Sequence, residues 1–329
     1  MDNRKILVTG TSGHLGEAIA RTLTEQRTPY LGVDLRRGSF TQKVGDLANQ
    51  SFTDTLFKDV NHVIHCATLH KPHVATHTKT QFIAANITST LNLLEASVKH
   101  RIRSFIFTST TSTFGDAMRP KSGKPAVWVT ENLQPIPKNI YGVTKTAAED
   151  LCQLFHRNHN LPCLILKTSR FFMEKDDDPQ KRDLYDDTNI KINEFLNRRL
   201  DVADAVSAHL LAIDKATQIG FAKYIISANS PFKKKDLAKL SFDAPAVVQQ
   251  YFPDYDAIYE QRNWKMFPQL DRVYINQKAR KELGWQPKFN FRYILDCLAE
   301  NKPFVSDLSQ KIGIKGYHKK KYKDGLYPV

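Results

Sequence analysis

Short apolar runs alternate with helical patterns through the first half of the chain. "KILVTG", "YLGVD", "HVIHCA", "SFIFTS" and "CLILK" read as strands, and between them lie segments with helical spacing at 14–26, 51–58, 79–100 and 139–160. Within 79–100, Ile83, Ile87, Leu91, Leu94 and Val98 recur every three or four positions, which predicts one helix laying a single stripe on a sheet. Strand, helix, strand in repetition requires crossover connections, so the fold class predicted is α/β, a doubly wound parallel sheet with helices on both faces. After residue 167 the pattern changes. An acidic loop, "EKDDDPQKRDLYDDTN", precedes a helical "DVADAVSAHLLAID" and a strand-like "KYIISA"; helices follow at 244–262, 276–283 and 289–298, the second stopped by Gly284 and Pro287. The expected division is an α/β domain over 1–167 and a smaller C-terminal substrate lobe over 168–329, with about 201–228 returning to the first sheet.

Composition narrows the class. With 41% apolar and 25% charged residues and no run near the roughly 20 apolar residues of a membrane span, a soluble globular protein is expected, with no membrane partner. "MDNRKILVTG" is too short in apolar core for a signal peptide, and Cys66, Cys152, Cys163 and Cys297 are widely spaced, which fits reduced thiols in the cytoplasm. The net charge of +14 raises the question of polyanions. Residues 261–329 hold fifteen Lys/Arg against six Asp/Glu, ending in "KGYHKKKYKDGLYPV", yet no nucleic-acid motif accompanies them. A solvated basic tail and no specific nucleic-acid partner are expected.

Gly10, Gly13 and Gly16 form GxxGxxG directly after the first strand and at the mouth of the first helix. Such glycines permit a tight turn, close approach of backbone to a pyrophosphate, and packing of helix on strand, while the helix N-terminus favours negative charge. Asp34 closes the second strand, where a carboxylate would accept from adenosine ribose hydroxyls and repel a 2′-phosphate, favouring NAD; Arg36 and Arg37 follow and leave NADP possible. Asp46, in "VGDL", lies where a loop could reach the adenine, or is an ordinary turn aspartate.

Tyr141 and Lys145, in "NIYGVTKTAAEDL", stand four apart on a predicted helix and so share a face. The same Y-x-x-x-K occurs at Tyr274/Lys278 and Tyr317/Lys321, and only the first pair opens a helix in the nucleotide half. A phenol near pKa 10 is a poor base at neutral pH. An ammonium at about 4 Å and an effective dielectric of about 20 is worth roughly 4 kcal/mol, or about three pKa units, so Tyr141 is expected to titrate near 7 or 8.

On these motifs, together with "VIHCAT", "NITSTLNLLEAS", "FIFTSTTSTFG", "YGVTK" and "KARKELGWQP", the chain resembles the extended short-chain dehydrogenase/reductases of the NAD-dependent epimerase/dehydratase family, strongly before residue 167 and thinly afterwards. The resemblance implies a Rossmann-like domain binding NAD through Gly10, Ser12, Gly13, His14, Leu15, Gly16, Asp34, Arg36, Asp46, Leu47, Cys66, Ala67, Asn86, Tyr141 and Lys145. It implies a catalytic set of Thr110, Tyr141 and Lys145, with Thr111 or Ser109 in place of Thr110 if the register slips. It also implies a homodimer through helices 79–100 and 139–160.

Two departures shape the expected chemistry. Where dehydrating members carry acidic residues just after the catalytic hydroxyl, this chain has Thr111, Ser112 and Thr113, so reversible hydride transfer at a carbinol of a sugar or nucleotide sugar is expected, as in a 4-epimerase. Arg170 stands near a family asparagine, and only about thirty residues separate it from "DVADA", so the nucleotide-gripping segment looks short. A dehydrogenase or reductase acting on a smaller acidic sugar or polyol is the alternative, held by Arg170, Arg198 or Arg199 unless these pair with the acidic run from Asp176 to Asp187; a non-catalytic dinucleotide sensor is a further one. His62, His65, His70, His73 and His77 crowd sixteen residues; no carboxylate or thiolate set completes a metal site, so no metal is expected, and His70 and His73 are candidate substrate contacts.

Overall fold

The computed structural model describes residues 5–316. Seven strands form one sheet in the order β3 (Lys43–Val44), β2 (Tyr30–Asp34), β1 (Ile6–Thr9), β4 (His62–His65), β5 (Ser104–Thr110), β7 (Cys163–Thr168) and β8 (Phe221–Ile226), every neighbour parallel. The order reverses between β1 and β4, the place where open α/β sheets bind ligands at the carboxyl ends of their strands.

Alternation along the strands explains the layers. Ile6, Val8, Ile64, Ile106, Leu164 and Leu166 face one side, under the helices His14–Glu25 and Val202–Ile219. Leu7, Val63, Phe105, Phe107 and Ile165 face the other, under Ser89–Lys99 and Ile140–His159. Both faces are dry, so the strands read as near-continuous apolar runs.

A second apolar cluster builds the small lobe from Ile190, Phe195, Leu240, Val248, Tyr259, Val273 and Phe291. It also takes in Ala126, because β6 (Val127–Val129) leaves the first half and pairs in parallel with β9 (Arg272–Tyr274). Neither short strand was expected. Asp201 and Asp204, in the first turn of the helix that begins "DVADAV", fasten the C-terminal segments: Asp201 accepts from the Ser306 amide and the Ser306 and Ser309 hydroxyls, and Asp204 from the Lys288 and Phe289 amides.

Two helical expectations change. The segment 244–262 is two helices, Ala244–Tyr251 and Tyr255–Glu260, parted at Pro253. The segment 79–100 is interrupted by a π-helical turn at Ala84–Thr88, which aims Asn86 inward. Such one-turn widenings break the 3.6-residue spacing and commonly mark functional sites.

Candidate active site

The glycine loop joins β1 to the helix His14–Glu25. Gly10 has φ +79°, and a Cβ there would stand 2.8 Å from the Ala67 amide nitrogen; at Gly16 it would stand 2.1 Å from the Gly10 carbonyl oxygen. The ends of β1 and β4 are therefore held at backbone contact. Thr9 Oγ1 completes the joint by accepting from the Cys66 and Ala67 amides, both at 3.1 Å. Gly13, the residue before the helix, carries no side-chain cap, so the first-turn amides receive no acceptor from it.

Asp34 is turned toward this loop: one carboxylate oxygen accepts from the Ser12 amide and the other from the Arg36 amide, each at 2.9 Å. Ser12 in turn donates to the Arg36 carbonyl at 2.8 Å. An uncapped helix start, a glycine cradle with no room for a side chain and a carboxylate at the end of β2 together fit a dinucleotide.

The remaining cofactor candidates have varied surroundings. Leu15 is in the core, and Leu47 is buried with its carbonyl accepting from Asn92 and Thr53. Asp46 is exposed and accepts from the Ala48 amide, the ordinary turn arrangement. Cys66 Sγ lies 3.1 Å from Thr108 Oγ1, and burial pushes its thiol up to about 12. Asn86 has all of its amide engaged: its oxygen accepts from the Leu69 amide and Thr68 hydroxyl, and its nitrogen donates to the Leu69 carbonyl and Thr144 hydroxyl. It pins the loop after β4 to the helix Ile140–His159.

Each hydroxyl at the end of β5 can now be followed. Thr108 meets Cys66 and His209, and Ser109 donates to Glu149. Thr110 accepts from the Ser112 amide at 3.1 Å, and its hydroxyl draws the Tyr141 phenol downward. Thr113 donates to the Thr110 carbonyl and accepts from Lys167. Thr110, Tyr141 and Lys145 converge here, because Tyr141 and Lys145 lie on the buried stripe of their helix with Ala148, Glu149, Cys152 and Phe155. The other Y-x-x-x-K pairs do not resemble this one. Tyr274 ends β9 rather than opening a helix, and Tyr317/Lys321 lies outside the described residues.

The expected electrostatics of the pair need correction. Burial pushes the Tyr141 phenol up to about 12, with the Thr110 bond pulling the other way, and Lys145 adds no resolved downward pull. The lysine spends its ammonium elsewhere: Nζ donates to the Thr108 carbonyl at 2.7 Å and lies 3.9 Å from the centre of the Phe107 ring. Burial depresses it to about 7, against the attraction of Glu149. Shared helix face set the position of both groups, but desolvation acts against the charged form of each.

The histidines divide by depth. His62 and His65 are inside β4, His65 bonding Thr9 and Thr90, and burial holds it well below the usual histidine range. His70, His73 and His77 form an edge-on series with ring centroids 4.6 and 5.1 Å apart. Phe172 lies between His70, at 5.5 Å, and His14, at 5.0 Å, while His14 Nε2 is 2.9 Å from Glu174. Among the described residues no group of three His, Cys, Asp or Glu side chains is arranged to hold a metal ion.

The arginines proposed for a substrate anion already have carboxylates. Arg170 pairs with Asp176, Asp177 and Glu194, and Glu194 also meets Arg198 at 2.6 Å and Arg199 at 3.2 Å. The three guanidinium groups hold the fully buried Glu194 well below the usual carboxylate range despite its burial. Lys71 pairs with Asp177, tying the loop after β4 to the acidic segment.

The match to known proteins decides the family. A model of the NAD dependent epimerase/dehydratase family matches residues 6–224. The chain belongs to that family.

An uncharacterized UDP-glucose epimerase of Bacillus subtilis is 32% identical over 51% of this chain and 56% of its own length; the UDP-arabinose 4-epimerase 1 of Arabidopsis thaliana is 25% identical over 86% and 75%. A dTDP-glucose 4,6-dehydratase of Streptomyces antibioticus is 24% identical over 87% and 88%. The matched segment thus spans little more than half the length of some curated relatives. The Thermotoga maritima UDP-glucose 4-epimerase shares the fold, with a TM-score of 0.62 at 20% identity over 90% of this chain and 99% of its own. An Agrobacterium tumefaciens short-chain dehydrogenase/reductase solved with NAD gives 0.62 at 21% over 90% and 96%. Among the described residues no helix is long and apolar enough to cross a membrane.

Residues outside the sequence prediction also build the site: Thr9, the Thr108 carbonyl, Phe172, Glu174, Glu149 and Lys167. Only Glu149 had a readable signal, since it continues the four-residue spacing of Tyr141 and Lys145.

Proposed function

We propose that the protein is an NAD-dependent, 4-epimerase-like enzyme that performs reversible hydride transfer at a carbinol of a sugar or nucleotide sugar. The observation that carries this is the convergence at the end of β5 of buried Tyr141, whose phenol the Thr110 hydroxyl pulls downward, and buried Lys145, whose Nζ donates to the Thr108 carbonyl at 2.7 Å, beside the uncapped glycine loop. Gly10, Ser12, Gly13, Gly16 and Asp34 would hold the dinucleotide, with Cys66, Ala67 and Lys145 on the nicotinamide side. Hydride acceptance and a positive charge near the phenol are the chemistry that the oxidised dinucleotide supplies when bound. Tyr141, as the phenolate, takes the hydroxyl proton on its phenol oxygen, Thr110 orients the substrate oxygen, and the Lys145 ammonium offsets the phenolate charge that precedes the transfer.

No acidic side chain follows Thr110: Thr111 is buried, Thr113 is bonded to Lys167, and Ser112 lies between them, which supports hydride return rather than loss of water. A smaller sugar or polyol without a diphosphate is the second reading. It is favoured by the short segment after β7, two helices of six and nine residues, and by the carboxylates already on Arg170 and Arg199. Exposed Ile83, Val143 and Leu154 on the helices flanking the outer face support a homodimer through that face.

The test is to release and identify any retained dinucleotide, then incubate the protein with NAD and UDP-glucose, UDP-galactose, UDP-arabinose, dTDP-glucose and free sugar acids. Interconversion of 4-epimers without net NADH supports the first reading. Steady NADH formation from a sugar acid or polyol replaces it with the second, and loss of water from dTDP-glucose rejects both.

A further inference from the structure

Beneath the three candidate catalytic residues lies a second buried polar set. Glu149, one helical turn beyond Lys145, is fully buried, and Lys167 of β7 stands 2.6 Å from its Oε1. Ser109 donates to the same oxygen, and Lys223 of β8 approaches Oε2 at 3.2 Å. Lys167 also donates to Thr113 Oγ1 at 2.8 Å, and Thr113 donates to the Thr110 carbonyl at 2.8 Å. Glu149 therefore reaches Thr110 from both sides, through Ser109 before it and through Lys167 and Thr113 after it.

Charge balance gives this set a second role. Three ammonium groups, Lys145, Lys167 and Lys223, surround one buried carboxylate. Facing Lys145 are Tyr141, Glu149 and Cys152 from its own helix, His65 and Cys66 from the end of β4, Lys167 from β7, and the Phe107 ring. Glu149 is the carboxylate among them; His65 is held neutral by burial, the thiols of half-buried Cys66 and buried Cys152 are pushed upward by desolvation, and Lys167 repels. Asp150 lies outside, 3.9 Å from Lys223 and exposed.

Resting on the catalytic reading above, we propose that Glu149 is a positioning residue: it locks the strand end bearing Thr110 to the helix bearing Tyr141 and supplies the negative charge that keeps Lys145 a cation at neutral pH. A buried ion pair is weak evidence of stability, since apolar residues of like volume often replace it without loss. Its meaning here comes from its place between the two elements whose relative position makes the site. Burial alone depresses Lys145, and the Glu149 carboxylate heads the influences opposing it.

The test reads Lys145 itself, so it does not wait on a known substrate. Protein labelled with 13C at lysine Cε is titrated by NMR, the Lys145 signal being assigned by its loss in Lys145→Arg. In Glu149→Gln the Lys145 midpoint is expected to fall by about one unit, as loss of a nearby opposite charge requires. Asp150→Asn should leave it in place. Lys223→Gln, a partly exposed change that removes a competitor for Glu149, should raise it by a few tenths and serves if Glu149→Gln does not fold. With the substrate identified by the screen above, kcat at pH 7 should fall about fivefold in Glu149→Gln and recover at lower pH, which loss of packing alone would not produce. An unmoved Lys145 midpoint in a folded Glu149→Gln protein, or in Lys223→Gln if the first is unfolded, overturns the inference. Turnover undiminished by Tyr141→Phe overturns the catalytic reading instead, whatever Lys145 does.

Discussion

Two sets of buried charges flank the acidic segment and the end of β5, and they are balanced in opposite ways. In the small lobe, Glu194 meets Arg170, Arg198 and Arg199, while Asp176 and Asp177 take the rest of Arg170. That set closes on itself. Under the helix Ile140–His159, Lys145 has no carboxylate within ion-pair distance among the described residues and rests on a carbonyl and a ring. That set holds more cations than anions. A saturated cluster holds parts together, whereas a deficient one keeps an unmet charge preference available to a ligand or transition state.

The saturated cluster breaks most dramatically. Glu194→Ala strands Arg198 and Arg199 and takes one carboxylate from Arg170, and is expected to cost about 3–5 kcal/mol, measured by urea unfolding. A loss below about 1 kcal/mol would show that solvent already screens the cluster. Tyr141→Phe should do the reverse, leaving the melting temperature nearly unchanged while kcat falls by about 10²-fold or more with NAD binding intact.

The deficient cluster makes a prediction with a definite sign. Lys145 is depressed to about 7 from the usual lysine value of 10.5. Between those values the unfolded chain binds the proton and the folded one does not, so this group makes stability rise with pH across that window. Below pH 7 both states hold the proton and its full burial cost is present. Lys145→Met should therefore be more stable than the wild type at pH 7, by about 1–2 kcal/mol after discounting relaxation, and lose the rise from 7 to 10.5. A wild-type profile already flat there would mean that water reaches the ammonium.

The smallest effect is expected at Asp34, whose carboxylate is met by two backbone amides and, among the described residues, by no cation. Asp34→Ala should weaken NAD about five- to tenfold by fluorescence titration and narrow the gap to NADP. Tighter NADP than NAD in the wild type would reassign Arg36 from bystander to ligand.

What could be read in the sequence was what depends on local spacing. The glycine turn, the stripe holding Tyr141, Lys145 and Glu149, and Thr110 at its strand end follow from positions a few residues apart. Where a long side chain ends does not. Lys145 shares a face with Tyr141, yet its flexible stem delivers the charge to the Thr108 carbonyl, and the burial that raises one group and lowers the other depends on strands far away in the chain. The acidic run was legible as an alternative partner for Arg170 and Arg199, but not which carboxylate would meet them: Glu194 lies beyond that run, in the helix Asp187–Phe195, and its approach to Arg170 depends on a chain path that no periodicity records. Asn86 sits where a π turn inserts one residue into the helical rhythm, so the pattern there read as one unbroken helix.

The pairing of β6 with β9 bears on how the chain is made. Val127–Val129 leaves the ribosome early, but its ladder partner Arg272–Tyr274 follows about 140 residues later. At cellular synthesis rates of about 5–20 residues per second, that strand waits on the order of ten seconds with one edge open. A chaperone, or a temporary neighbour within the nascent chain, has that interval in which to shelter Trp128.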